Sequence, residues 1–201
     1  MSEIKPLDSA HTALLVLDMH ESVAGPDAED GAGAHAIEQN VVAHIASLLD
    51  AARAGGLQVI HVHHRSAKGV RPTGRLPELF RELADEESLQ EGDPGMDVLP
   101  GLEPVDGDLV IHKERVSAFT GTELDIVLRA ADVDTLILTG TWTNLSVESS
   151  ARYGADIGYR IVLASDGLCS ISREWHEGAL SLGLSLLCEI GTTAEVLAAL
   201  K

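Results

Sequence analysis

The chain has 201 residues, 45% of them hydrophobic, which is enough for a core of its own, and residues 1–201 are predicted to form a single domain. Its formal net charge of −18 argues against nucleic acid or an anionic membrane as a partner, because both are bound through basic surfaces. No apolar stretch approaches the roughly 20 residues of a membrane span, and the first residues lack the features of a secretory signal, so a cytoplasmic protein is predicted.

The first half of the chain predicts two strands joined by a helix, followed by a long irregular segment. The helix shows apolar residues at every third or fourth position and ends at Gly55-Gly56, as helices with a glycine cap do. The irregular segment, 65–104, holds most of the prolines and is predicted to cover the functional face. The predicted elements are a strand over 13–17, a loop over 19–33, a helix over 34–54, a strand over 57–63 and a short helix over 76–83.

The second half alternates strands and helices. The strands are predicted over 109–112, 135–139, 160–164 and 188–190, and the helices over 122–130, 144–157, 173–187 and 192–200. Six strands with intervening helices predict an α/β fold: a doubly wound, Rossmann-like, three-layer αβα sandwich around a six-stranded, mainly parallel sheet.

Three polar residues stand just past predicted strands. Asp18 follows the first strand, Lys113 the third, and Ser146 comes after the turn that follows the fourth. Because the carboxyl ends of parallel strands meet at one edge of a sheet, an acid, an ammonium and a hydroxyl are expected to converge there. Each residue alone also fits a structural cap or a solvated charge. The three together indicate an enzyme active site.

The flanking sequences carry a family resemblance that covers nearly the whole chain in order. The chain resembles the isochorismatase-like cysteine hydrolases, which include isochorismatase, nicotinamidase and N-carbamoylsarcosine amidase. The blocks that carry the resemblance are Leu-Val-Leu-Asp-Met at 15–19, His-Lys-Glu-Arg-Val-Ser-Ala-Phe-Thr-Gly-Thr-Glu-Leu at 112–124, and Thr-Gly-Thr-Trp-Thr-Asn-Leu-Ser-Val-Glu-Ser-Ser-Ala-Arg at 139–152.

The resemblance implies a role for each of the three residues. Asp18 would be the general base, Lys113 the electrostatic partner and Ser146 the occupant of the nucleophile position. It also implies a cis peptide bond between Thr141 and Trp142, a small-molecule substrate, no cofactor, and assembly as a homo-oligomer, dimer or tetramer. The chemistry is sound by itself, because a helix N-terminus and an ammonium favour a nucleophile's anion while a carboxylate takes its proton.

Position 146 departs from the amidase branch, which carries cysteine there. A serine hydroxyl is a far weaker acid than a thiol. Ser146 is therefore a working nucleophile, or a spectator in an isochorismatase-type cleavage of a vinyl ether with Asp18 as acid, or a cysteine-to-serine trapping variant. A catalytically degenerate ligand-binding protein is a further alternative. The flanking Thr143-Asn144 and Val147-Glu148-Ser149 resemble the amidase branch, which favours hydrolysis of an amide, carbamoyl or related C–N bond.

Substrate contacts are predicted from residues near the three strand ends. Trp142, which follows Thr141 at the turn, is expected to narrow the pocket or stack on the substrate. Phe119 is expected to form a wall or to belong to the core. His63 and Arg65 are expected to line the pocket, with Arg65 suited to grip a carboxylate. Arg71 and Arg75 are further candidates for such a grip; a solvated surface charge is the alternative for each arginine.

The run His61-Val62-His63-His64 resembles part of a metal site, since nicotinamidases hold a metal near the second strand. Zinc sites need three or four ligands, and no Asp-x-His spacing accompanies these histidines. No metal is therefore predicted. On an alternating strand His61 and His63 share a face, where they line the pocket or form hydrogen bonds in the core. Cys169 and Cys188 lie in no metal or redox motif, so neither a disulfide framework nor a thiolate-zinc site is predicted.

Overall fold

The computed structural model describes residues 4–28, 31–65, 77–85 and 89–200. Its centre is a six-stranded sheet in the order β3-β2-β1-β4-β5-β6, with every neighbouring pair parallel. The predicted doubly wound α/β fold is confirmed. The strands are β1 (Thr12–Leu17), β2 (Gln58–His64), β3 (Leu109–Lys113), β4 (Thr135–Thr141), β5 (Arg160–Cys169) and β6 (Glu189–Gly191).

The helices lie on both faces of the sheet and complete three layers. On one face α3 and α8 pack through residues such as Ile45 and Val196; on the other, α5 and α6 pack through residues such as Leu124 and Ala151. Covered on both faces, every residue of β1 is buried, as expected for a central parallel strand. The helices are α1 (Glu21–Ala24), α2 (Gly33–Glu38), α3 (Val41–Gly55), α4 (Glu78–Asp85), α5 (Leu124–Ala130), α6 (Glu148–Asp156), α7 (Arg173–Leu182) and α8 (Thr193–Ala199).

Several elements differ from the sequence prediction. Helix α1 lies within the loop expected over 19–33, and the helix expected over 173–187 ends at Leu182. The single helix expected over 34–54 is divided into α2 and α3, because Asn40 takes a left-handed conformation with φ 56°. Asparagine tolerates this conformation better than most residues. The break is not visible in the apolar spacing, because that spacing continues from α2 into α3. Strand β5 continues to Cys169, five residues past its predicted end. Its extension brings Cys169 and Ser170 to the same sheet edge as the ends of β1 and β4.

The strand order reverses between β1 and β4. The chain moves from β1 to β2 on one side, and β4 returns to the other side of β1. Ligands of open parallel sheets bind at such a reversal of strand order, outside the carboxyl ends of the strands. Asp18 follows β1 there, and the turn that carries Ser146 follows β4. Among the described helices none is long and apolar enough to cross a membrane.

Candidate active site

Asp18, Lys113 and Ser146 form a closed triangle of hydrogen bonds. Ser146 Oγ donates to Asp18 Oδ2 at 2.7 Å. Lys113 Nζ lies 2.8 Å from the same carboxylate oxygen and donates to Ser146 Oγ at 3.0 Å. Exposed fractions are 5% for Asp18, 2% for Lys113 and 4% for Ser146, so the triangle is almost fully removed from solvent. The expected convergence of the three residues is observed.

Each of the three side chains is placed by a strand end. Asp18 takes φ 52°, which turns the chain sharply just after β1. Lys113 ends β3, with its side chain on the buried face of that strand. Ser146 lies in a wide turn, Thr143–Val147, with π-helical hydrogen bonding, which leads into α6. Helical turns of this kind are rare and occur often at functional sites.

The Asp18 carboxylate is held ionised by its neighbours. Oδ1 accepts the backbone N–H of His64 at 2.7 Å, while Oδ2 accepts from Lys113 and Ser146. Burial alone would raise the pKa of Asp18. The Lys113 ammonium and the hydrogen bonds from Lys113 and Ser146 outweigh burial, so the pKa lies below its ordinary value of 3.8. At neutral pH, Asp18 is a carboxylate directed at the Ser146 hydroxyl.

The Lys113 ammonium uses all its protons within this centre. Besides Asp18 Oδ2 and Ser146 Oγ, it donates to the carbonyl oxygen of Val116 at 2.9 Å. A buried ammonium with three acceptors is fully satisfied. Removing one partner of such a buried pair leaves an uncompensated charge and costs about 3–5 kcal/mol. Substitutions of Lys113 or Asp18 therefore lower stability, whereas a substitution of Ser146 does not remove a charge.

The turn after β4 is anchored from within. The peptide bond between Thr141 and Trp142 is cis, as the family resemblance implied. The carbonyl oxygen of Trp142 accepts the N–H groups of Leu145 and Val147, each at 3.0 Å. The Thr143 hydroxyl is completely buried and bonds to the carbonyl oxygen of Cys169 at 2.9 Å. The backbone that carries Ser146 is therefore fixed to β5.

Two of the residues predicted to bind substrate, Phe119 and Thr141, lie in packed surroundings. Phe119 belongs to the core: its ring stacks on Tyr153 at 5.3 Å between centroids and lies 5.8 Å from Tyr159. Thr141 is fully buried, and its hydroxyl faces the carbonyl oxygen of Cys169 at 3.5 Å. The predicted contacts of Phe119 and Thr141 with substrate stay predictions. Trp142 is half-buried at the turn, and its role stays a prediction.

His63 and Arg65 line one cavity of about 530 Å³, together with His20 and His112. Arg65 is partly neutralised by Glu91, 3.4 Å away. Their predicted contact with substrate stays a prediction. Arg71 and Arg75 lie outside the described residues.

The histidines of β2 form hydrogen bonds with other parts of the chain. His61 Nε2 lies 3.3 Å from Asp108 Oδ2, and His63 Nδ1 lies 3.2 Å from His20 Nε2. His20 Nδ1 faces the carbonyl oxygen of Met96 at 3.0 Å. Within the described ranges, no three His, Cys, Asp or Glu side chains are placed to hold a metal ion.

Sequence reasoning missed two histidines beside the site. His20 lies two residues after Asp18 and is 2% exposed, and that spacing was a signal that it could approach the same strand end. His176, on α7, is 4% exposed and contacts Thr143. Nothing in the spacing of His176 marks it, because the contact depends on the extension of β5 and on the packing of α7.

The buried histidines predict an acid-sensitive fold. Burial, the largest cause in each case, lowers the pKa of His63 to about 3 and the pKa values of His64 and His176 to about 4. In the unfolded chain the same groups titrate near 6.5. Between these values the unfolded state binds protons that the folded state excludes, so the free energy of unfolding falls as pH falls below 6.5. Each histidine contributes a slope of about 1.4 kcal/mol per pH unit in that window.

Urea denaturation at a series of pH values from 7.5 to 5 measures how the free energy of unfolding changes with pH. The expected change for each proton is about 1.4 kcal/mol per pH unit. In the variant His63→Gln the slope should be smaller by about 1.4 kcal/mol per pH unit, the contribution of one proton. An unfolding free energy that stays constant from pH 7 to 5, or an unchanged slope in the variant, would contradict the pKa of about 3 assigned to His63.

Comparison with known proteins fits this geometry. The family model of the isochorismatase domain matches residues 12–195. The ureidoacrylate amidohydrolase RutB of Pantoea ananatis is 32% identical over 187 residues, covering 84% of this chain and 73% of that protein. A cysteine hydrolase from Pseudomonas syringae pv. phaseolicola has a crystal structure with TM-score 0.87 and 30% identity, covering 98% of this chain and 95% of that one. The crystal structure of N-carbamoylsarcosine amidase from Thermoplasma acidophilum has TM-score 0.70 and 25% identity, covering 90% of this chain and 96% of that one.

Since the family model spans most of the chain and the strand ends carry the family's three sequence blocks, the chain belongs to the isochorismatase family of hydrolases.

Proposed function

We propose that the protein hydrolyses the C–N bond of a small amide, carbamoyl or ureido compound, with Ser146 as nucleophile, Asp18 as general base and Lys113 as electrostatic partner. The observation that carries this proposal is the position of Ser146 Oγ, 2.7 Å from Asp18 Oδ2 and 3.0 Å from Lys113 Nζ. A nucleophile within hydrogen-bond reach of both a base and a cation is the arrangement that covalent catalysis requires.

The proposed reaction has two halves. Ser146 Oγ attacks the substrate carbonyl carbon as its proton passes to Asp18 Oδ2, and backbone N–H groups of the turn 142–146 stabilise the oxyanion. The C–N bond breaks as Asp18 returns the proton to the departing nitrogen, leaving an ester on Ser146. Water then attacks that ester, again with Asp18 as base, and releases the acid and the serine. Lys113 Nζ, 3.0 Å from Ser146 Oγ, favours the anionic oxygen.

The ionisation state of Asp18 favours this reaction over the cleavage of a vinyl ether. The alternative uses Asp18 as an acid, which requires a proton on the carboxyl group of the resting enzyme. The Lys113 ammonium holds the pKa of Asp18 below 3.8 against the effect of burial, so the resting group is a base at neutral pH. The relatives of this chain also include a ureidoacrylate amidohydrolase and an N-carbamoylsarcosine amidase.

A serine nucleophile sets a requirement on the site. The hydroxyl does not ionise in advance as a thiol does, so proton transfer to Asp18 has to occur together with attack. The short Ser146–Asp18 distance of 2.7 Å meets this requirement. We therefore propose that Ser146 is a working nucleophile and not an inactive replacement of a cysteine.

A panel of small substrates tests the proposal. Primary amides, ureido acids, N-carbamoyl amino acids and a vinyl ether are incubated with the protein, and the release of ammonia or of the vinyl-ether product is measured. The expected result is ammonia from at least one amide or ureido compound. Cleavage of the vinyl ether alone would contradict the proposal. The proposal would also be contradicted if the protein hydrolysed none of the compounds and none of them raised its thermal stability.

We further propose that the protein is a cytoplasmic homo-oligomer, a dimer or tetramer. Leu182 and Leu186 are 81% and 84% exposed, and a second copy would cover such apolar surface. Cys169 and Cys188 are both free, in keeping with a reducing compartment. Size-exclusion chromatography with light scattering gives the assembly state.

A further inference from the structure

The Thr143 hydroxyl lies between two groups that fix its proton. Thr143 Oγ1 is 2.9 Å from the carbonyl oxygen of Cys169 and 2.8 Å from Nδ1 of His176. Thr143 has no exposed surface, and His176 is 4% exposed. No solvent is therefore available to replace either hydrogen bond.

These contacts determine the tautomer of His176. A carbonyl oxygen only accepts, so the single hydroxyl proton of Thr143 goes to Cys169 O, and Thr143 Oγ1 must accept from His176. Nδ1 of His176 then carries a hydrogen. Burial, together with the neighbouring His35 and Arg173, holds the pKa of His176 at about 4, so at neutral pH the ring has one N–H only. That N–H is on Nδ1, and Nε2 carries the lone pair.

The hydrogen bond acts on the segment that carries the nucleophile. Thr143 begins the wide turn that delivers Ser146, and the next residue, Asn144, bonds through Oδ1 to the hydroxyl of Ser170. Two successive residues of the turn are therefore tied to two successive residues at the end of β5. His176 completes this anchorage from a third element, α7.

We propose that His176 is a positioning residue: through its Nδ1–H bond to Thr143 it sets the place of the turn and hence of Ser146 Oγ between Asp18 and Lys113. This inference rests on the proposed function, because it concerns the same nucleophile. His176 lies in the wall of a separate cavity of about 730 Å³ and touches none of the three catalytic side chains through a hydrogen bond. A misplacement of about 1 Å far from the chemistry is enough to lower a rate by about 100-fold.

Matched variants separate positioning from a merely structural contact. The side-chain N–H of asparagine can occupy the place of Nδ1–H, whereas leucine fills similar space without a donor. His176→Leu is expected to lower the rate at which p-nitrophenyl acetate acetylates Ser146 by about 10- to 100-fold. His176→Asn should recover most of that rate. Thr143→Val should reproduce the loss and Thr143→Ser should not, and the double variant His176→Leu/Thr143→Val should lose no more than either single variant.

The rate of acetylation is measured by intact mass spectrometry, and ¹⁵N NMR of the histidine rings reads the tautomer of His176 without any substrate. A ring protonated at Nδ1, a slow leucine variant and a rescued asparagine variant support the inference. A ring protonated at Nε2, or acetylation of Ser146 in His176→Leu at the wild-type rate, overturns the inference about His176 and leaves the proposed function standing. A wild-type protein that is never acetylated at Ser146 overturns the proposed function, and the inference with it.

Discussion

Replacement of Ser146 by alanine is expected to lower the rate of C–N hydrolysis by at least about 1,000-fold, because the substitution removes the attacking oxygen and leaves only the background contribution of the surrounding site. The fold should persist, since the lost hydroxyl is uncharged and the Lys113–Asp18 ion pair at 2.8 Å remains. Steady-state ammonia release measures the rate, and thermal unfolding checks the fold.

Ser149→Ala is the matched control, because Ser149 lies one helical turn further along, in α6, outside the proposed catalytic group. It should retain the wild-type rate. Ser146→Cys gives the second comparison: a thiol beside the Lys113 ammonium ionises more readily than a hydroxyl, so activity should be kept or increased. Amide hydrolysis at the wild-type rate in Ser146→Ala would remove the nucleophile role. Activity found only in Ser146→Cys would identify the natural chain as a degenerate or trapping form.

Replacement of Gly140 by alanine is expected to lower the free energy of unfolding by roughly 3–5 kcal/mol, the sum of steric overlap and backbone strain. Gly140 has φ 103°, and a Cβ there would lie 2.1 Å from the carbonyl oxygen of Leu17. Because Leu17 immediately precedes Asp18 and pairs with Gly140 in the sheet, relief of the overlap must move β1 away from β4. The same substitution should therefore lower activity as well as stability, as urea denaturation and ammonia release would report.

Two other glycines separate the overlap from the strain. Gly158 has φ 99° with nothing within 4 Å of the added Cβ, so Gly158→Ala should cost only the strain, about 1–2 kcal/mol. Gly178 lies inside α7 with open space around it, so Gly178→Ala should stabilise the protein by about 0.5–1 kcal/mol. If Gly140→Ala cost no more than Gly158→Ala, the close approach of β4 to Leu17 would not be needed for the fold.

The sequence predicts that Asp18, Lys113 and Ser146 converge because of a general property of parallel sheets. Short buried apolar runs locate β1, β3 and β4, and polar residues at their carboxyl ends must meet at one edge. Asp18, Lys113 and Ser146 are therefore brought together by topology, which the alternation of strands and helices already indicates. The family resemblance implies a role for each of the three residues but gives no distances between them.

Other features depend on packing that a single sequence does not encode locally. Phe119 stacks on Tyr153 and lies near Tyr159, and both tyrosines belong to a segment distant in sequence. His176, on α7, contacts the turn that carries Ser146, and this turn is bonded to the end of the extended β5. The break at Asn40 arises from backbone conformation within an unbroken apolar pattern. For Phe119 and His176, a contact between remote segments decides the structure.

The site at which p-nitrophenyl acetate modifies the protein shows whether Ser146 is the nucleophile. The protein is quenched during the reaction, digested, and its peptides are sequenced by mass spectrometry. We expect one acetyl group on Ser146 of the wild-type protein, which accumulates when hydrolysis of the ester is slowed at low temperature. Ser146→Ala should carry no acetyl group at position 146. Ester and amide hydrolysis that proceeds at full rate with the acetyl group on another residue, or with none, would contradict Ser146 as the nucleophile.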